Sequence, residues 1–520
     1  MLWLLTSAAL AAPPFPAVVR PCATLDRLPL APELSVPDRP LPPGSAKEER
    51  DPFGLPNVQL SENFRVSWGN SGGVSANEID NLVESLEDAW SLYIDEMEHP
   101  QPSGTETWYF NIFIGDSGSG APDGYGAGGY YTVDPDGYPM IVVAAGVLND
   151  AAYTQITGSH EFYHAVQGSL NTYPYRGSSA WFWESSATWA SAKVYPDNLN
   201  YSAFLFSYML LPHLPVNFFD YPDTGTLQEY YQYGSFLWPL YLSEFASDWS
   251  LIRDAWTAPG DDDDPLESLR IGMAERGLDL DEAWLDHIAR NQVWDYPSGD
   301  VMQQWVEAYA AHYSEGENLV AAEHDSRGSQ GWQEGPDDLR PRRYGSNAIR
   351  MTGPVDGTLN VYIEGDSDGS ESSDSEFGAR LILVESSGGY QVLDVPFEGT
   401  WGELSTDEAQ GVAEIWLVVG AWTERLVEVR WEDEDFGYRY ALLVDESKKT
   451  PQDTGSVDTG DPDTGPGDTG EVDDSFTDLV QWEDGEDVTL AACACGHSRA
   501  RDMGLLAIFM ALLTGMRRRA

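Results

Sequence analysis

The chain has 520 residues, 86 of them acidic against 28 basic, for a formal net charge of −58. That length allows two or three domains, and 42% hydrophobic content with 19 Trp, 26 Tyr and 18 Phe points to large aromatic cores rather than disorder. The charge excludes nucleic acid as a partner and opposes binding to an anionic lipid surface; its simplest reading is solubility outside a cell.

In chain order, residues 1–12 open on the apolar run Leu2-Trp3-Leu4-Leu5 and continue Ala-rich to Ala12, as a signal peptide does. Residues 13–56 hold twelve prolines and little periodicity, which predicts a linker or pro-segment. An α/β lobe follows. Phe64–Trp68 reads as a strand, and Ser75 with Glu78 as a capping box opening a helix through Ile79, Leu82, Val83, Leu86, Trp90 and Ile94. Trp108–Ile114 alternates as a strand. Gly129–Val133 and Met140–Ala144 form a predicted hairpin around Asp134-Pro135-Asp136-Gly137, and Gly128–Val133 is a candidate edge strand for pairing with an extended substrate.

Residues 151–167 permit one continuous helix in which only Gly158 is unfavourable, and it contains His160-Glu161-Phe162-Tyr163-His164. Positions i and i+4 share a helix face, so His160 and His164 can offer two imidazoles to one metal ion, with Glu161 one residue round to polarise a water. Apolar Ile156, Tyr163 and Val166 interleave with the motif, which predicts a buried helix whose polar residues are kept for a reason. A carboxylate from a second helix, Glu184 in Trp181-Phe182-Trp183-Glu184, completes a two-His, one-Glu set with a fourth position open. That is the donor set of a zinc hydrolase.

From 180 to about 320 the pattern is helical and aromatic, with further helices expected at 236–245 and 278–290 and a solvated loop at Asp261–Asp264. From Asn347 to Val444 the period drops to two, in 359–363, 379–384 and 413–419, as in a β-sandwich; its acidic segment 366–376 reads as an exposed loop, with Ca²⁺ binding as the alternative. The repeats at Asp453, Asp458, Asp463 and Asp468, each Asp-Thr-Gly, cannot build a core and predict a flexible, self-repelling stalk. Residues 503–516 are a 14-residue run without charge followed by Arg517-Arg518-Arg519, too short for a comfortable membrane span.

Together, His160-Glu161-x-x-His164 and Glu184 within Trp-x-Glu-x-x-Ala-x-Trp resemble the gluzincin branch of the zinc metallopeptidases. The resemblance implies an α+β zincin-like catalytic domain over 57–335, a mixed sheet and active-site helix followed by a helical lobe, with an all-β sandwich domain at 345–446. It also implies Zn²⁺ held by His160, His164 and Glu184, with Glu161 as general base for peptide-bond hydrolysis. The segment Tyr231-Gln232-Tyr233-Gly234 is similar to the gluzincin Tyr-x-x-Gly, which points to Tyr231, or alternatively Tyr233, as donor to the oxyanion. Where thermolysin-like chains carry an Asp four residues after the third ligand this chain has Thr188, whose hydroxyl can still support a ligand His. Cys493-Ala494-Cys495-Gly496, the short apolar run and the terminal Arg cluster resemble a myxobacterial C-terminal sorting signal. That implies a 447–490 stalk, a 491–520 tail removed by a sorting protease or kept as a membrane anchor, and display of the protein at the cell surface. The expected partner is a protein or peptide substrate. The competing expectation is a non-enzymatic surface adhesin with an inactive metallopeptidase-like domain. Cys22, the one Cys before position 493, reads as an incidental thiol; the alternative is that it blocks the zinc in a latent form.

Overall fold

A computed structural model of the protein describes residues 20–22 and 46–298 apart from 171, 176–178, 221–227, 247 and 258–263. It further describes 301, 303–305, 307, 322–324, 332–335 and 339–447 apart from 352–354, 366–374 and 424–438. The expected signal peptide, the Asp-Thr-Gly stalk, the C-terminal tail and most of the acidic 366–376 loop lie outside these residues. The fold is mixed α+β with several antiparallel pairings. No helix among the described residues is long and apolar enough to cross a membrane.

The first lobe is built on a six-stranded sheet of β1 (Arg20–Cys22), β2 (Asn57–Leu60), β3 (Phe64–Trp68), β4 (Phe110–Gly115), β5 (Ala127–Val133) and β6 (Pro139–Ala144), ordered β1-β5-β6-β4-β3-β2. β3, β4 and β6 run parallel, while β5 returns antiparallel to β6 as the predicted hairpin. Between β3 and β4 the chain crosses over through helix α1 (Ala76–Trp90). Its capping box forms as expected: Glu78 Oε2 accepts from the Ser75 amide at 2.6 Å, and Ser75 Oγ from the Glu78 amide at 3.4 Å. The helix buries Ile79, Leu82, Leu86 and Trp90 and runs on into one wider turn, Ser91–Glu96.

Two expectations change here. Gly128–Val133 was expected at the sheet edge, but β1 pairs parallel with β5, setting Arg20 opposite Ala127 and Cys22 opposite Gly129. The proline-rich 13–56 segment is also not a free linker throughout. Glu48 bridges to Trp108, and Arg50 clamps the β5–β6 turn through Asp134 at 2.7 Å and Asp136 at 2.8 Å. Residues lacking periodicity can still dock one at a time on a sheet edge.

Helix α2 (Ala151–Leu170) packs on α1 and on β5 and β6, and is buried on every side from Ile156 to Gln167. Helix α3 (Ala180–Val194) crosses it, followed by α4 (Ser202–Leu210), α5 (Tyr231–Gly234), α6 (Leu237–Tyr241), α7 (Trp249–Thr257), α8 (Pro265–Glu275) and α9 (Leu280–Val293). The helix expected over 236–245 is α6 plus a wider turn at Leu242–Ala246. Asp264 ends the acidic run by capping α8, accepting from the Leu266 amide at 3.0 Å.

The C-terminal part adds β7 (Ala322–His324), β8 (Gln333–Glu334), β9 (Gly345–Met351), β10 (Thr358–Gly365), β11 (Ser375–Val384), β12 (Tyr390–Val395), β13 (Phe397–Glu398), β14 (Trp401–Thr406), β15 (Glu414–Thr423) and β16 (Tyr440–Ser447). They form two five-stranded sheets, β13-β14-β10-β16-β8 and β12-β11-β15-β9-β7. Alternation assigns the faces. Leu381 and Leu383 of β11 and Ile415, Leu417 and Val419 of β15 meet Val361, Leu442 and Val444 of the facing sheet in one core, which makes the pair a sandwich. Their neighbours Ile382, Trp416, Val418 and Trp422 turn the other way and join the core of the helical lobe, against α9. Gly378 and Gly420 on that outer face leave room for Leu285 and Ile288; a Cβ at Gly378 would lie 2.5 Å from Leu285 Cδ1.

Candidate metal centre

Helices α2 and α3 run antiparallel and are tied together on both sides of the motif. At one end Ser159 Oγ meets Ser191 Oγ at 2.9 Å; at the other Gln167 Nε2 donates to the Trp183 carbonyl at 3.1 Å and to Ser186 Oγ at 2.9 Å. Between these ties the helical spacing puts His160 and His164 on the face that meets Glu184. Their rings are 4.6 Å apart and nearly perpendicular. His160 Nε2 lies 3.1 Å and His164 Nε2 3.6 Å from the same oxygen, Glu184 Oε2. All three residues are buried, His164 fully.

Each of these groups is held from behind. Gln167 Oε1 sits 2.7 Å from His164 Nδ1. Because Gln167 Nε2 must face the Trp183 carbonyl, which can only accept, the amide presents its oxygen to His164. Nδ1 therefore carries a proton, and Nε2 is the atom turned towards Glu184. Thr188 Oγ1 lies 3.4 Å from His160 Nδ1, so the hydroxyl stands where the sequence comparison looked for an Asp. Tyr175, in the loop before α3, donates to Glu184 Oε1. Sequence reasoning missed Tyr175, since a loop tyrosine in an aromatic-rich region carries no periodic signal.

The electrostatics follow from burial and contact. Burial pushes the Glu184 carboxyl up, but the imidazoles of His164 and His160 beside it outweigh burial and hold Glu184 well below the usual carboxylate range. Burial lowers His160 despite its bond to Glu184, which leaves a neutral imidazole able to act as a ligand. Burial also raises the Tyr175 and Tyr233 phenols far above their ordinary value, with Glu184 adding to both. These two hydroxyls stay protonated donors.

Glu161 is fully buried beside the cluster, under β5; a Cβ at Gly129 would come within 2.9 Å of Glu161 Cγ, so only glycine allows the strand to pass so close. The two tyrosines weighed from the sequence lie in different places. Tyr231 donates its hydroxyl to the Leu214 carbonyl at 3.1 Å and packs between Tyr208 and Phe218, away from the imidazoles. Tyr233 has its ring 6.0 Å from that of His160. Two residues along a helical turn is about 200° of rotation, so the two tyrosines cannot both face the cluster.

Cys22, read from the sequence as incidental or else as a blocking thiol, also lies there. It is 2% exposed and sits with His160, His164 and Glu184 in a group whose ligand atoms all lie within 4.8 Å of one another. Its thiol donates to Glu161 Oε2 at 3.5 Å. Strand β1 carries Cys22 over the cluster.

Among solved structures, the pre-peptidase C-terminal domain of a collagenase from Bacillus anthracis is similar at 14% identity over 24% of this chain and 95% of that domain, with a TM-score of 0.15. No curated protein matches the chain. A family profile does match, over residues 41–448, which span β2 to β6, helices α2 and α3 and the sandwich: the chain belongs to the family of unknown function DUF6055.

Proposed function

We propose that the protein is an exported zinc-dependent peptidase with a zincin-like catalytic lobe, in which His160, His164 and Glu184 hold the metal and Glu161 is the general base. The observation that carries this reading is the convergence of two imidazole Nε2 atoms on one carboxylate oxygen at 3.1 and 3.6 Å. Donor atoms about 2.0–2.1 Å from a tetrahedral zinc lie roughly 3.3 Å from one another, so the spacing fits the ion. The His164 Nε2 atom makes no hydrogen bond of its own, and Gln167 turns it to the cluster. Two imidazoles and a carboxylate, each braced through its second heteroatom, are donors that suit zinc.

Zinc at this position supplies Lewis acidity, bringing the ionisation of water close to neutral pH and polarising a carbonyl. The chain's own residues do the rest. Glu161, fixed one residue round from His160, removes the proton of the attacking water and delivers it to the departing amine. The Tyr233 hydroxyl, kept protonated by its surroundings, donates to the oxygen of the tetrahedral intermediate. A metal-activated water with a buried base beside it suits peptide-bond hydrolysis, which makes a protein or peptide the proposed substrate class. The sequence features of the two ends support export and attachment at the cell surface.

The test is metal stoichiometry and casein cleavage by the full chain and by Glu161→Gln, with Cys22→Ala in both so that the thiol does not occupy the site. One zinc per chain with cleavage abolished by Glu161→Gln is expected. Cleavage that survives the substitution refutes the mechanism, and absence of bound metal refutes the site.

A further inference from the structure

We propose that residues 20–22 are a built-in inhibitor of this site: Cys22 supplies the fourth donor, and β1 fills the sheet edge a substrate would use. The inference rests on the peptidase reading and adds its regulation. Three observations converge. The Cys22 sulfur belongs to the same 4.8 Å donor group as His160, His164 and Glu184, and thiolate is among the strongest zinc ligands. Its thiol faces Glu161 Oε2 at 3.5 Å, so the group assigned as general base is engaged by the same residue. The strand that carries it is paired in register with β5, with Cys22 opposite Gly129, the residue whose missing side chain brings β5 down onto Glu161.

A three-donor site leaves a position for water; a four-donor site does not. When Cys22 sulfur takes that position its proton passes to Glu161 Oε2, and water, base and substrate edge are all lost together. Because the thiol belongs to the same chain it competes at an effective concentration on the order of millimolar, without leaving the molecule. Cys22 is the only Cys before position 493, so nothing in the body of the chain offers it a disulfide instead. Activation then requires displacement of β1, by proteolysis or by modification of the thiol.

The experiment compares the full chain with Cys22→Ala and Cys22→Ser, each loaded with cobalt(II) in place of zinc and, separately, with zinc. Wild-type cobalt protein is expected to show a near-ultraviolet thiolate-to-cobalt charge-transfer band that both variants lose while still binding one metal. The zinc forms of the variants are expected to cleave casein at least about tenfold faster than wild type. Bound cobalt without the charge-transfer band overturns the inhibitor while leaving the metal site standing. The band with no cleavage by any form overturns the peptidase reading and keeps Cys22 as a ligand only. Variants that lose metal and thermal stability together and gain no cleavage show a closed structural site, which overturns the inhibition. No cobalt bound by any form overturns site and inhibitor alike.

Discussion

Gln167→Leu isolates the support of a single ligand. Gln167 is fully buried and makes three polar contacts, but two are redundant. The Trp183 carbonyl lies in the first turn of α3, where the helix can satisfy it, and Ser186 Oγ keeps both its bond to the Phe182 carbonyl and its donor Trp256 Nε1 at 3.2 Å. What leucine strands is the His164 Nδ1–H, 2.7 Å from the lost amide oxygen. Without metal the imidazole can move its proton to Nε2, which lies 3.6 Å from Glu184, and so escape much of the penalty. With metal on Nε2 it cannot. The cost of a buried unsatisfied donor, about 1–3 kcal/mol, therefore falls on the loaded state and weakens binding about 5- to 150-fold. Losses of the same order follow removal of outer partners of zinc-binding histidines elsewhere. The assay is competition for zinc against a chromophoric chelator, with thermal melts in excess EDTA run alongside. An unchanged zinc dissociation constant, or a loss of stability confined to the EDTA melts, would refute the reasoning.

Two other tests follow. Tyr233→Phe should lower kcat by about 10²–10³-fold with little change in metal content, whereas Tyr231→Phe should leave turnover near wild type and cost only its bond to Leu214; steady-state kinetics of both in the Cys22→Ala background decides, and equal effects would refute the assignment. His287 is fully buried against Tyr208, Asn291 and Tyr296, and burial pulls its pKa from 6.5 down to about 3. The folded value lies below the unfolded one, so its stabilising contribution is complete above about pH 6.5 and is lost as pH falls towards 3. At pH 5 the loss is about 2 kcal/mol. Urea titrations should show the stability gap between wild type and His287→Gln shrinking by about that amount from pH 7 to pH 5, and a gap independent of pH would refute it.

What was legible in the sequence is what local geometry dictates. The i, i+4 imidazoles needed only a helix, and the residues flanking them permit no better alternative. The Ser75–Glu78 box and the period-two runs at 379–384 and 413–419 likewise encode their own structure. The rest depends on contacts that leave no local trace. Cys22 meets Glu161 across 139 positions through a three-residue strand, and nothing in Arg20-Pro21-Cys22 shows which sheet edge it joins. Tyr231 and Tyr233 could not be separated because α5 is a single turn whose four residues are all buried, so hydrophobicity gives no phase. Tyr175 reaches Glu184 from a loop, where side-chain direction is set by tertiary packing alone.

The relation of the sandwich to the metal centre shows the same division between local and distant information. In β15 the run Ile415-Trp416-Leu417-Val418-Val419 is apolar at every position, which marks a strand buried on both faces rather than one with a solvated side. One face fills the sandwich, and the other must meet something. That partner is α9, and aromatic contacts extend the packing beyond it. Trp422 stacks on Tyr344, with centroids 6.2 Å apart; Tyr344 meets Trp284 at 5.9 Å, and Trp284 meets Trp238 of α6 at 5.4 Å. α6 and α5 pack directly on α3, the helix that carries Glu184, and α5 carries Tyr233. The floor under Glu184 and Tyr233 thus rests on a core shared with the sandwich. Burial of each large side chain in that core contributes about 1.5–3 kcal/mol before the cost of ordering the chain is subtracted. The sandwich is therefore part of what holds the site's geometry, whatever else its outer surface binds.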